Sequence, residues 1–161
     1  MHFLMVDLSL GREDPERDLR DSCIQHNVSL AESNGHTVQV VRDGDLPGGR
    51  VSPPFAQAPM PLKLILMSGF IRFRIASKTP DLLYLDTDLK LLTMPEFNET
   101  GKPYFAEDIC MFYVNDCCDF FKKYPRFICF QDETFVIDPG CYEHKGATAK
   151  ELLKGTEYAS D

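Results

Sequence analysis

The chain lacks tryptophan, and none of its six cysteines (Cys23, Cys110, Cys117, Cys118, Cys129 and Cys141) stands in a Cys-x-x-Cys pair. Redox and zinc motifs of that spacing are therefore missing. The Cys-x-x-His step from Cys141 to His144 has no second pair to complete a zinc site. No run approaches the roughly 18 apolar residues of a membrane-spanning helix. Residues Met1 to Leu10 include Asp7 and lack the basic start and cleavage site of a secretory leader. The expectation is a soluble, cytoplasmic protein whose thiols are reduced and mostly buried. No Gly-x-Gly-x-x-Gly follows the first predicted strand, which removes the main support for a dehydrogenase-type dinucleotide fold. Positive charge is also short: a formal net charge of −8 disfavours nucleic acid as a partner.

What is present suits one compact domain. At 161 residues and 43% hydrophobic, the chain can bury a single core, with no room for a separate acceptor-binding domain, so residues 1–161 are expected to form one unit. Phe3 to Leu8 reads as an opening strand buried on both faces. Asp14-Pro15 marks a helix start. Leu19, Cys23, Ile24, Val28 and Ala31 then give that helix an apolar face, and Asn34-Gly35 ends it. His36 to Val41 alternates as a second strand. Such a strand–helix–strand unit is usually parallel and right-handed, with ligands outside the carboxyl ends of its strands. That places Asp7, Leu8 and Ser9 beside Asp43 as a cradle for a nucleoside, with Asp43 equally readable as a solvated turn acid.

Residues 46–61 hold five prolines and two glycines, the composition of a loop or linker, and a loop of this length in a compact domain often serves as a lid or covers a ligand. Leu62 to Ser77 has helical periodicity and stops before Pro80. Tyr104-Phe105 and Ile109 to Val114 read as strands, and Asn115 as the cap of a helix reaching Tyr124. Residues 147–154 are expected to form a closing helix, and 155–161 a frayed tail.

The most informative stretch is Asp81-Leu82-Leu83-Tyr84-Leu85-Asp86-Thr87-Asp88. A short apolar run with the composition of a buried strand stops on two carboxylates separated by one residue. On an extended backbone Asp86 and Asp88 would point the same way, because side chains repeat every two residues. Two oxygen donors at the end of a buried strand suit Mn²⁺ or Mg²⁺ carrying a diphosphate, since these ions leave coordination positions to phosphate and water.

This Leu-Tyr-Leu-Asp-Thr-Asp segment resembles the metal site of glycosyltransferases of the A-type (GT-A) fold, glycogenin-like enzymes and mannosyltransferase or toxin-type sugar transferases among them. The resemblance implies a three-layer, Rossmann-like α/β fold with a mixed, mostly parallel central sheet. It also implies a nucleotide-diphosphate-sugar donor, with a UDP-sugar favoured. In that family a helix just ahead of the Asp-x-Asp strand supplies an arginine near the sugar or diphosphate. Arg72 and Arg74 stand fourteen and twelve residues before Asp86, and Arg72 is preferred. Tyr104-Phe105 and the apolar segment after it resemble the family too, with Glu107-Asp108 where small residues are usual. Asp132-Glu133 resembles the acidic segment beside the sugar and acceptor, able to orient the sugar or accept a proton, Asp132 ranking first. His144-x-Gly146-x-x-x-Lys150 partly matches a closing segment in which histidine is a third metal ligand and lysine meets the diphosphate. The acceptor, whether protein, glycan or small molecule, is not indicated. A shortened transferase fold serving as a nucleotide-sugar-binding or protein-interaction module is the alternative. A nucleotidyltransferase ranks lower, because Leu10-Gly11-Arg12 is a poor substitute for its glycine-rich basic loop.

Overall fold

The computed structural model describes residues 1–46, 55–116, 119–123, 133–147 and 149–157, and only the backbone of Asp108, Lys122, Lys123, Ala149 and Lys150. The elements follow the order β1 (His2–Asp7), α1 (Arg17–Ser33), β2 (Thr37–Arg42), α2 (Leu62–Ala76), β3 (Leu82–Leu85) and β4 (Leu89–Leu91). They continue with β5 (Tyr104–Phe105), β6 (Met111–Val114), α3 (Phe120–Lys123), β7 (Phe135–Val136), β8 (Tyr142–His144) and α4 (Ala149–Leu153). Six strands form a sheet in the order β2-β1-β3-β6-β5-β7. β1 is parallel to β2 and β3, β5 is parallel to β7, and only β6 runs antiparallel to its neighbours. This is the mixed, mostly parallel sheet expected.

Strand alternation explains the layers. Phe3 and Met5 of β1, with Leu83 and Leu85 of β3, pack on Ile24 and Ala31 of α1. The alternate residues Leu4, Val6, Leu82 and Tyr84 join a second core with Ala76, Ile71 and Phe73 of α2. A period of two thus serves both faces, and residues Leu82 to Leu85 are all buried.

Local boundaries differ from expectation in two instructive places. α1 begins at Arg17 after the N-cap Glu16, and Asp14 instead accepts a hydrogen bond from the Glu16 backbone N–H at 2.9 Å, forming a turn that leads into the helix. The apolar face of α1 is also interrupted by Asn27, which is completely buried. Its Nδ2 donates to the Leu89 carbonyl at 2.7 Å, and its Oδ1 accepts from the Leu91 N–H at 2.9 Å. One side-chain amide therefore satisfies an open edge of β4 and fixes that strand on the helix. On its other edge β4 pairs antiparallel with β8, which puts Leu89 opposite His144. Of the loop expected over 46–61 and the tail expected over 155–161, residues 47–54 and 158–161 lie outside the described residues. Among the described residues, no helix is long and apolar enough to cross a membrane.

Candidate functional site

β3 ends at Leu85, and the chain then turns rather than continuing extended: the Leu89 N–H donates to the Asp86 carbonyl at 3.1 Å. The pleat therefore does not bring Asp86 and Asp88 together; the turn does. β8 delivers His144 to the same point through its pairing with β4. One ligand atom from each of Asp86, Asp88 and His144 lies within 4.8 Å of the others. Two carboxylates and an imidazole at that separation are a donor set that fits Mn²⁺ or Mg²⁺, so the side chains meet the requirement of the cation that the resemblance implies.

The two carboxylates are held from behind. Asp86 Oδ1 accepts from the Tyr84 hydroxyl at 2.5 Å and from Arg72 Nη1 at 3.2 Å, and the Arg72 guanidinium also lies over the Tyr84 ring. Burial pushes the Asp86 carboxyl above its usual range, and Asp88 adds to the rise, while Arg72 and the Tyr84 hydrogen bond oppose it. Burial, followed by Asp86, pushes the Tyr84 phenol well upward, so it remains a proton donor at neutral pH. Asp88 is buried, with Oδ1 3.2 Å from His144 Nε2 and Oδ2 3.8 Å from Arg20 Nη1. Arg20 also holds Asp14 at 2.9 Å, Glu16 at 3.2 Å and the Thr87 hydroxyl at 3.2 Å.

The segment after β8 closes on this cluster through its backbone. The Lys145 N–H donates to the Asp88 carbonyl at 2.8 Å, and the Ala147 N–H donates to Glu16 Oε1 at 3.2 Å. Between them, Gly146 lies so near Asp88 and Glu16 that no side chain fits. Sequence reasoning missed Glu16, Arg20 and Asn27, and it named Gly146 within the closing segment without giving it a packing role. The sequence signals were faint: a polar residue inside the apolar stripe of α1, and a glycine two residues after the candidate histidine.

Asp86, Asp88, His144, Arg20 and Ala147 border a cavity of about 330 Å³ at the carboxyl ends of β1 and β3, which is also lined by Leu64, Ile65, Ser68 and Arg72 of α2. Of the expected nucleoside cradle, Asp7, Leu8 and Ser9 line it. Asp7 is already engaged, accepting a two-pronged contact from Arg17 at 3.0 Å and another from Arg42. Asp43 does not line the cavity; it accepts from the Ser9 N–H at 3.0 Å, the Ser9 hydroxyl at 2.6 Å and the Leu10 N–H at 3.1 Å, bracing the turn after β1. Arg72 faces the cavity, whereas Arg74 is exposed over the Phe70 ring and does not line it. Glu133 is half-buried and also does not line it. Asp132 and the Lys150 side chain lie outside the described residues.

Fold and site together define an α/β protein with a candidate divalent-cation site at the carboxyl edge of its central sheet. No protein-family model and no curated protein matches the sequence. Among solved structures, the chain is similar to a mutant of the Drosophila beta-1,4-galactosyltransferase 7 in complex with manganese, UDP-Gal and xylobiose, with 13% sequence identity and a TM-score of 0.40. The match covers 76% of this chain and 52% of that one, so the chain spans about half the length of the galactosyltransferase chain.

Proposed function

We propose that this chain is a metal-dependent glycosyltransferase of the A-type fold that takes a sugar from a nucleotide-diphosphate-sugar, a UDP-sugar by preference, and transfers it to an acceptor hydroxyl. The observation that carries the reading is the convergence of Asp86, Asp88 and His144 within 4.8 Å beside the cavity. A cation held there would offset negative charge developing on the leaving diphosphate. The protein's own part is positioning. Arg72 and Tyr84 fix the Asp86 carboxylate, and Arg20 steadies the turn carrying Asp88. The α2 wall shields the cavity from one side. Lys150 on the diphosphate and Asp132 or Glu133 beside the sugar complete the reading, as the resemblance implies.

The test is a panel of nucleotide-sugars incubated with the protein and Mn²⁺, scored for hydrolysis and transfer. Cleavage of at least one donor is expected, with a loss of about a hundredfold or more in Asp86→Ala and Asp88→Ala, because each removes a charged ligand. If no donor is bound or cleaved, the reading fails. A second reading, a nucleotide-sugar-binding module without turnover, is favoured by the close cover over Asp88, whose side chain is only 6% exposed. Metal-dependent binding of a donor that is never cleaved would select it.

A further inference from the structure

Among the described residues, every carboxylate that lines the cavity has a basic partner, whereas one lining arginine has no acidic one. Of the carboxylates that line it, Asp7 is met by Arg17 and Arg42, Asp14 by Arg20, Asp86 by Arg72, and Asp88 by His144 and Arg20. The lining arginines are Arg12, Arg20 and Arg72. Arg20 and Arg72 are committed to these acids, whereas Arg12, partly buried, has no ion pair or side-chain hydrogen bond among the described residues. Arg20 is shared among Asp14, Glu16 and Asp88, so Arg12 is the lining guanidinium left available to an incoming anion.

The backbone that presents Arg12 is built to hold one shape. The turn Ser9 to Arg12 is closed by the Arg12 N–H donating to the Ser9 carbonyl at 2.9 Å. Asp43 braces it from β2 through the Ser9 and Leu10 contacts. Leu10 sits at φ +50° and Gly11 at φ +80°. A leucine in the left-handed region is a strained choice, and such strain persists where the surrounding structure enforces a particular presentation. Here it presents a guanidinium to a cavity that also contains a cation site.

We propose that Arg12 is the side chain that receives the phosphoryl oxygens of a nucleoside diphosphate in this cavity. The planar fork of arginine matches two such oxygens at once, and a partly buried, uncommitted guanidinium loses little existing interaction in doing so. The ligand class rests on the transferase reading above; the placing of an anion at Arg12 rests on its position in the cavity lining, its lack of a side-chain partner among the described residues and the braced turn that carries it. Asp86, Asp88 and His144 would hold the cation on one side of the diphosphate, and Arg12 would hold its oxygens directly.

The test measures calorimetric binding of inorganic pyrophosphate and of UDP to the whole chain, with and without Mn²⁺, for the native protein, Arg12→Lys and Arg12→Ala. Binding of Mn²⁺ alone is followed by its electron paramagnetic resonance signal. Arg12→Ala is expected to weaken pyrophosphate and UDP about ten- to a hundredfold, with Arg12→Lys intermediate and Mn²⁺ affinity unchanged in both. Unchanged pyrophosphate and UDP affinity in Arg12→Ala would overturn the role of Arg12 and leave the transferase reading standing. The expected loss, in a protein that turns over no nucleotide-sugar, would support Arg12 and overturn the transferase. A native protein that binds neither probe would overturn both. A parallel fall in Mn²⁺ affinity and melting temperature in both variants would mark Arg12 as merely structural and also overturn its role.

Discussion

A β-carbon on Gly146 would stand 2.3 Å from Asp88 Oδ2 and 2.8 Å from Glu16 Oε2. Neither neighbour is free to yield, because Asp88 is buried beside His144 and Glu16 is held by Arg20 and the Ala147 N–H. Gly146→Ala is therefore expected to push the segment after β8 off the turn at Asp88. The Mn²⁺ affinity should fall by about tenfold or more, and stability by about 1–3 kcal/mol, as in other overpacked sites. Metal titration and denaturant unfolding of the variant check both figures.

Asn27 should prove to be a structural support of the site despite standing on the far side of β4. Asn27→Leu keeps the volume of the side chain but leaves the Leu89 carbonyl and the Leu91 N–H without their partner. The expected cost is about 2–4 kcal/mol, the range for stranding two buried backbone groups. Hydrogen exchange should show the Leu91 amide losing protection before those of β1.

The acid response of the cation site follows from Asp86. Its carboxyl is raised by burial first, and by Asp88, so on acidification it takes up its proton at a higher pH than an ordinary aspartate does. A protonated Asp86 is a poor ligand, and Mn²⁺ affinity is therefore expected to be full well above that raised value and to decline as pH falls through it. Arg72→Met removes a group that holds the proton off, and should move the decline to still higher pH. Mn²⁺ titrations across the mildly acid range test the order of the two proteins.

Two buried thiols should resist alkylation. Burial raises Cys23, with Asp88 adding to the rise, and burial raises Cys141, with Asp138 adding to it. The reactive thiolate is therefore scarcer at a given pH than in an unfolded chain, and access is limited as well. Iodoacetamide labelling followed by peptide mass analysis should find both sites slow in the native protein and fast in denaturant, with the native rate climbing as pH is raised.

Parts of this molecule were legible because they depend on neighbours in sequence. The apolar run Leu82 to Leu85 is a fully buried strand, and the stripe on residues 62–76 is a helix, since periodicity reports which side of an element meets a core. Spacing suits both Arg72 and Arg74, and the structure separates them by orientation: one faces Asp86 and the other is exposed over Phe70. In sequence, Asp7 and Asp43 read as acids of a nucleoside cradle, Asp43 equally as a solvated turn acid. Their partners, Arg17 with Arg42 and the turn at Ser9, come from other segments that no local pattern could assign.

The sequence by itself determined the strand–helix–strand opening, the strand that ends at the acidic pair, and the chemical types needed for a divalent cation. These follow from composition and from periods of two and 3.6 residues. Only the tertiary structure decided how the pair converges. The Asp86–Leu89 turn, not the pleat, gathers the carboxylates, and the β4–β8 register carries His144 across 56 residues of chain to Asp88. Glu16 likewise reaches Ala147 across 131 residues. Such contacts are fixed by strand register and close packing, which depend on every intervening element at once. The motif at Asp86 and Asp88 could thus be read locally, while the arrangement that makes it a site could not.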